Sequence, residues 1–112
     1  MATSPSDNQG GVNQPLISEF AQDADMTELI EYFLTELQGG VDNLTRAWQE
    51  GNSAQLRKLA HQLKGAAGGY GFPTITASAA ELETLLDAGM AQTSAFAEQF
   101  EALIALCKRA SV

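Results

Sequence analysis

The chain contains 112 residues, which suffice for one compact domain but not for a separate catalytic domain beside it. Hydrophobic residues make up 45% of the sequence and only 3 residues are proline, a composition typical of a globular, helix-rich protein. The 14 acidic and 6 basic residues give a formal net charge of -8, which disfavours binding to nucleic acid or to an anionic membrane surface. We therefore expect neither as a partner.

The N-terminal stretch 1–13 lacks apolar periodicity and is rich in small polar residues, so it cannot bury enough surface to offset the entropy of ordering. We predict a disordered tail over 1–13 and one folded domain over 14–112. The tail lacks the apolar segment of a signal peptide, and Cys107 is the only cysteine, which together favour a cytoplasmic location. The chain has no cluster of histidine and cysteine that could bind zinc, so no metal site is expected.

A brief lead-in helix is predicted at the start of the domain. Pro15 suits the first turn of a helix, and a short apolar face follows it, formed by Leu16, Ile17 and Phe20. Asp25 and Glu28 then have the spacing of a capping pair for a long helix. The apolar residues of this helix recur at helical spacing: Leu29, Ile30, Phe33, Leu34, Leu37, Val41, Leu44 and Trp48.

Three further amphipathic helices follow after Gly51. One begins near Ser53, the next is opened by Pro73 and stopped by Gly89, and Thr93 or Ser94 caps the last. Their apolar stripes are, in turn, Leu56, Leu59, Ala60, Leu63 and Ala67; Ile75, Ala79, Leu82, Leu85 and Leu86; and Phe96, Phe100, Leu103, Ile104 and Cys107. This pattern predicts an all-α fold, an antiparallel four-helix bundle with a short additional N-terminal helix.

His61 is the only histidine of the chain and lies on the second bundle helix. At ~100° per residue it is about 140° away from Leu56 on the apolar stripe, so its imidazole should face solvent. Its helical neighbours are either cationic or very small: Arg57, Lys58, Lys64, Gly65 and Gly68. An exposed imidazole with one unprotonated ring nitrogen is a competent nucleophile.

These neighbours suit a histidine that accepts and releases a phosphoryl group. Lys64 lies on the same side of the helix and can offer positive charge to phosphoryl oxygens attached to His61. Gly65 and Gly68 weaken the helix, but they leave room for the active site of a partner to approach closely. We therefore predict His61 as the phosphorylated residue, Lys64 as phosphoryl-stabilising, and both glycines as residues that allow partner access.

Each of these features alone has an ordinary explanation. A lone exposed histidine is usually only solvated, a basic helix face is often plain surface, and glycines near a helix end often terminate it. The combination carries more weight, because three of the 6 basic residues lie within positions 57–64, which also hold the only histidine of an acidic chain.

A compact motif surrounds the histidine: His61-Gln62-Leu63-Lys64-Gly65-Ala66-Ala67, followed by Tyr70-Gly71. It resembles the signature of histidine-containing phosphotransfer (HPt) domains, which is histidine, any residue, an apolar residue, lysine, glycine, two small residues and then an aromatic-glycine pair. From His61 to Glu83 the chain is also similar, without gaps, to the phosphotransfer domain of chemotaxis histidine kinases. In helix layout the resemblance extends over positions 16–110.

The resemblance implies a four-helix bundle with an exposed, phosphorylatable histidine midway along its second helix. It implies that His61 accepts the phosphoryl group, that Lys64 supports it electrostatically and that Gly65 leaves space beside it. Glu83 matches an acidic position that orients the imidazole in the chemotaxis kinases by binding its other nitrogen. Those kinases have a second histidine where this chain has Ala80, so an extended hydrogen-bond network is not expected.

We interpret the chain as a histidine phosphotransfer intermediate in a two-component phosphorelay, a phosphocarrier without kinase activity of its own. It would shuttle a phosphoryl group between aspartates of receiver domains, on a hybrid histidine kinase or a response regulator, and act as a monomer. No bound cofactor is expected, because the receiver would supply magnesium. Two alternatives remain open: a detached phosphotransfer domain of a chemotaxis-type histidine kinase, and a non-catalytic helical adaptor.

Overall fold

The computed structural model describes residues 14–112, and the tail predicted over 1–13 lies outside the described residues. Four helices form the bundle: α1 (Thr27–Gln49), α2 (Ser53–Gly69), α3 (Pro73–Asp87) and α4 (Ser94–Arg109). The predicted all-α four-helix bundle is therefore confirmed. No helix in the described part of the chain is both long and apolar enough to cross a membrane.

The lead-in helix predicted from Pro15 was wrong. Leu16–Ile17 instead form a short strand, β1, which pairs in parallel with β2, Ala110–Ser111, at the other end of the chain. This pairing satisfies backbone groups of a segment too short to hold a helix by itself. The partner strand is remote in sequence, so a local apolar pattern could not reveal it.

Local capping fixes most of the helix ends. Asn52 accepts a hydrogen bond from the backbone N–H of Gln55 at the start of α2, and Thr93 does the same for the start of α4. Gly89, with φ of 74°, follows the end of α3 as predicted. The predicted role of Asp25 was wrong: a 3-10 helix, Ala24–Met26, precedes α1, and Asp23 caps it by accepting from the Asp25 N–H.

Aromatic clusters at the two ends of the bundle define how its helices run. Phe33, near the start of α1, stacks on Tyr70 and Phe72 in the turn that follows α2. Trp48, near the end of α1, packs against Phe96 and Phe100 near the start of α4, so α1 is antiparallel to both α2 and α4. The predicted apolar stripes are buried or partly buried, with Leu29 as the exception at 48% exposure. Cys107 is buried, and burial raises the pKa of its thiol to about 12, so it is a packing residue.

A strap formed by Ser18–Phe20 fastens the N-terminal segment onto the turn after α2. The buried Ser18 hydroxyl donates to the carbonyl oxygen of Tyr70 at 2.7 Å and accepts from the Phe20 N–H at 3.0 Å. The Glu19 N–H donates to the carbonyl oxygen of Gly71 at 2.8 Å. Gly71 has φ of 87°, and a Cβ at this position would overlap the Ser18 hydroxyl and the Glu19 backbone. The strap therefore requires glycine here for both conformation and space.

Gly71→Ala should destabilise the fold by roughly 2–4 kcal/mol, because a left-handed backbone conformation and an overlap with the strap add together. Gly51→Ala is the matched control, since Gly51 has φ of 69° but open space around its Cα. It should cost only about 1 kcal/mol. Urea unfolding followed by circular dichroism measures both. Equal costs for the two variants would show that the strap does not press on Gly71.

Candidate functional site

Close contact between α2 and α3 sets the spacing of the site. The Thr76 hydroxyl on α3 donates to the carbonyl oxygen of Lys64 on α2 at 2.9 Å. A Cβ on Gly68 would lie 3.3 Å from this hydroxyl oxygen, which is tighter than ordinary van der Waals contact. Gly68 therefore has an internal packing role, which the sequence did not indicate, and its role in partner access stays a prediction.

His61 lies at the middle of α2 with its side chain 62% exposed, as predicted from the apolar stripe. Its Nδ1 is 2.9 Å from Oε2 of Glu83, on the adjacent helix α3. The Glu83 side chain is only 9% exposed. The structure thus brings together the two residues that the resemblance linked, with the imidazole in solvent and the carboxylate buried against α2.

Two cations from α2 also contact the Glu83 carboxylate. Lys64 Nζ is 2.7 Å from Oε1, and Arg57 Nη2 is 3.4 Å from Oε2, the oxygen that also faces His61. Arg57 in turn binds Asp87 through its Nε atom. An extended network was not expected because this chain has Ala80 in place of a second histidine. The network is nevertheless present, because Lys64 and Arg57 extend it.

The side chains around the Glu83 carboxylate keep it ionised. The hydrogen bond from Lys64 lowers the pKa of Glu83 below its ordinary value of 4.5; partial burial opposes this shift and the hydrogen bond with His61 adds to it. An ionised carboxylate can only accept hydrogen bonds, so the proton between the two groups belongs to Nδ1 of His61. The neutral imidazole then carries its lone pair on Nε2.

The structure brings some of the predicted site residues into contact with one another and leaves others without a contact. His61, Lys64 and Glu83 form one contact network, with the Lys64 ammonium on the carboxylate rather than in open solvent above the ring. Gly65 has nothing within 4 Å of an added Cβ, so no contact inside the domain explains this glycine. In residues 14–112, no group of three or more histidine, cysteine, aspartate or glutamate side chains is arranged to hold a metal ion.

Arg57 and Asp87 were not singled out from the sequence as a bridging pair, although a signal for them exists. Arg57 precedes His61 by four residues on α2, and Asp87 follows Glu83 by four residues on α3. In an antiparallel pair, residues one turn beyond a contact on each helix meet again. Pairing His61 with Glu83 therefore predicts a second contact between Arg57 and Asp87.

An exposed histidine whose ring contacts a buried carboxylate is an arrangement that is able to supply a nucleophile. The comparison with protein families specifies the class: the Hpt domain family matches residues 28–111. The chain belongs to the Hpt domain family, whose members interact with receiver domains. It is a histidine phosphotransfer module of phosphorelays. Neither among curated proteins nor among solved structures does the chain have a significant match.

Glu83→Gln should reduce the stability of the fold at neutral pH and should have less effect in acid. Because the pKa of Glu83 is lowered in the folded state, its charge stabilises the fold above about pH 4.5, and this contribution is lost as the pH falls through the folded-state pKa. Urea unfolding of both proteins between pH 7 and pH 3 measures the difference. Glu98→Gln, which removes an exposed carboxylate on α4, is the control for the loss of one charge. A difference that stays constant with pH would contradict the role of the charge.

Proposed function

We propose that this protein is a phosphorelay intermediate that accepts a phosphoryl group on Nε2 of His61 from an aspartate of one receiver domain and passes it to another. It acts as a monomeric phosphocarrier in the cytoplasm, without kinase activity of its own. The receivers belong to a hybrid histidine kinase or a response regulator. The receiver supplies magnesium and most of the charge stabilisation, while this chain supplies a positioned nucleophile.

One observation carries this proposal: the exposed His61 ring is anchored through Nδ1 by a buried, ionised carboxylate. The 2.9 Å contact with Glu83 fixes both the orientation of the ring and the position of its proton. The lone pair of Nε2 is then ready for attack before any partner arrives. A histidine on the surface for general solvation would need no such anchor.

The surroundings of His61 favour a receiver domain as the partner. Gly65 leaves open space one turn along the helix, and a groove between α1 and α2 borders the next residues, with Gln62, Ala66 and Tyr32 in its lining. Tyr32 is 60% exposed, which gives the groove an aromatic contact for a partner. Lys64 beside His61 can turn from Glu83 toward the phosphoryl group that a receiver presents.

The transfer step needs no group beyond the imidazole and the receiver. The lone pair on Nε2 forms a bond to phosphorus as the bond between phosphorus and the aspartate oxygen breaks, and the aspartate leaves as a carboxylate with that electron pair. The proton on Nδ1 stays in place, so the ring becomes cationic and Glu83 faces the new charge at 2.9 Å. Lys64 moves from the carboxylate to the phosphoryl oxygens, which its position next to the ring allows. Return transfer reverses each of these changes.

His61→Gln should abolish phosphoryl acceptance and leave the bundle folded, because the side chain is exposed and contributes little to packing. The protein is mixed with receiver domains that have been charged by a labelled small phosphodonor, and the label on this chain is followed over time. The wild-type label should be acid-labile and alkali-stable, as expected of phosphohistidine. Labelling of a variant with unchanged circular dichroism would exclude His61 as the acceptor.

The same assay separates the relay from its alternatives. Transfer from a charged receiver supports the shuttle, whereas labelling by an isolated kinase catalytic domain with ATP, but by no receiver, indicates a phosphotransfer domain that works within a kinase. Absence of label under both conditions indicates an adaptor.

Gly65→Leu should slow transfer at least tenfold by filling the space beside the imidazole, while the stability of the helix holds or rises by up to about 1 kcal/mol. Gly69→Leu is the matched control, because Gly69 is also exposed on α2 with nothing within 4 Å but lies one turn further from His61. Its transfer rate should stay close to that of the wild type. Equal rates for the Gly65 variant and the wild type would show that this glycine does not serve partner access.

A further inference from the structure

Arg57 connects the two carboxylates of α3 with the imidazole. Its Nη2 atom lies 3.4 Å from Oε2 of Glu83, the same oxygen that accepts from His61. Its Nε atom binds one oxygen of Asp87, and Nη2 is 3.5 Å from the other. Because a guanidinium is planar and rigid, the contact with Asp87 fixes the direction in which Nη2 points.

The exposure of Arg57 and Asp87 indicates whether their ion pair serves the site or the stability of the fold. Arg57 and Asp87 are 50% and 51% exposed, whereas Glu83 is 9% exposed. Exposed ion pairs usually contribute little to the free energy of folding. We therefore expect Arg57 to affect the position of the buried Glu83 carboxylate more than the stability of the fold.

Lys64 cannot serve Glu83 and a phosphoryl group equally at the same time. Its ammonium lies 2.7 Å from Oε1 of Glu83 in the resting protein. When a phosphoryl group bonds to His61, its negative oxygens compete for that ammonium. If Lys64 moves toward them, the buried carboxylate loses its nearest cation while it has to face the cationic ring. Arg57 is the other cation within 4 Å of Glu83 in the described part of the chain.

We propose that Arg57, braced by Asp87, is a positioning residue that keeps the Glu83 carboxylate aimed at Nδ1 of His61 while Lys64 engages the phosphoryl group. This inference rests on the proposed function of His61. During transfer the bond between Nε2 and phosphorus forms, the bond from phosphorus to the aspartate oxygen breaks, and the proton remains on Nδ1. If Glu83 turned away, the proton could occupy Nε2 in the resting ring, and that tautomer has no lone pair on Nε2, the nitrogen that attacks.

The test compares Arg57→Gln with Lys58→Gln in the full chain. Lys58 is an exposed cation next to Arg57 that contacts neither Glu83 nor Asp87 among residues 14–112, so its variant controls for loss of charge. Nitrogen-15 NMR of the imidazole measures the tautomer in the absence of any partner. Transfer rates at increasing receiver concentration separate the rate at saturation from KM.

For Arg57→Gln we expect a mixed tautomer and a transfer rate at saturation lowered roughly tenfold, with KM little changed. Lys58→Gln should keep the wild-type tautomer and saturated rate. Arg57→Lys should recover part of the rate, since an ammonium can contact Glu83 but cannot span both carboxylates. In the double variant of Arg57→Gln with Lys64→Gln, the transfer rate at saturation should fall by more than the product of the two single reductions. In each single variant the remaining cation still contacts Glu83.

Three results would overturn the role of Arg57: an unchanged tautomer and saturated rate, equal losses for the Arg57 and Lys58 variants, or a change confined to KM, which would identify a docking contact. The imidazole tautomer is measured without any partner and does not depend on whether His61 is the acceptor, which the His61→Gln labelling assay decides separately. Urea unfolding midpoints of the variants exclude a loss of folded protein as the cause.

Discussion

The buried charge of Glu83 has to be matched by donors, because an ionised carboxylate removed from water without partners is strongly destabilising. Within residues 14–112, its partners all come from α2, one turn apart on the face that meets α3: Arg57, His61 and Lys64. The site therefore exists only while these two helices keep their spacing and register. Thr76 and Gly68 maintain that spacing beyond the carboxylate, where a hydroxyl bonds to the backbone of the neighbouring helix.

This arrangement reconciles two needs that normally conflict. A nucleophile must be exposed for a partner to reach it, but exposed side chains lose their orientation to rotamer motion. Here the ring of His61 remains 62% exposed while one of its atoms is held by a group on the protected side of the helix pair. Gly65 extends the accessible surface without a packing cost, since a Cβ added at this position would meet no other part of the domain within 4 Å.

The sequence predicted those parts of the structure that depend on local chemistry. The starts of α3 and α4 were predicted from Pro73 and Thr93, whose conformational or capping preferences act within a single turn. The start of α2 was predicted near Ser53, and the structure adds Asn52 as its cap. The error at Asp25 was local, since Asp23 caps a 3-10 helix there, but the lead-in helix failed because of a contact between distant segments. The segment after Pro15 pairs with the end of the chain, and no pattern within either segment contains that information.

The same division holds at the site. Periodicity alone placed His61 in solvent, because helical spacing requires only the residues of α2. The partners of Glu83 required the register between two helices, which the resemblance supplied for one contact but not for the next turn. The role of Gly68 was missed for this reason too, since the hydroxyl that restricts it belongs to Thr76 on α3.

The charge balance of the site is compatible with a carrier that has to release what it binds. Arg57 and Lys64 contribute two positive charges, and Glu83 and Asp87 contribute two negative charges, so the resting network is neutral. On the proposed mechanism, a phosphoryl group on His61 therefore adds negative charge without a surplus cation to neutralise it. Lys64 can turn toward the phosphoryl oxygens only by leaving Glu83, so the stabilisation that it gives to phosphohistidine is offset by the contact that it gives up. On the proposed mechanism, such a site would lower the barrier to transfer without trapping the phosphorylated state, and the equilibrium between two receivers would be set by the receivers themselves.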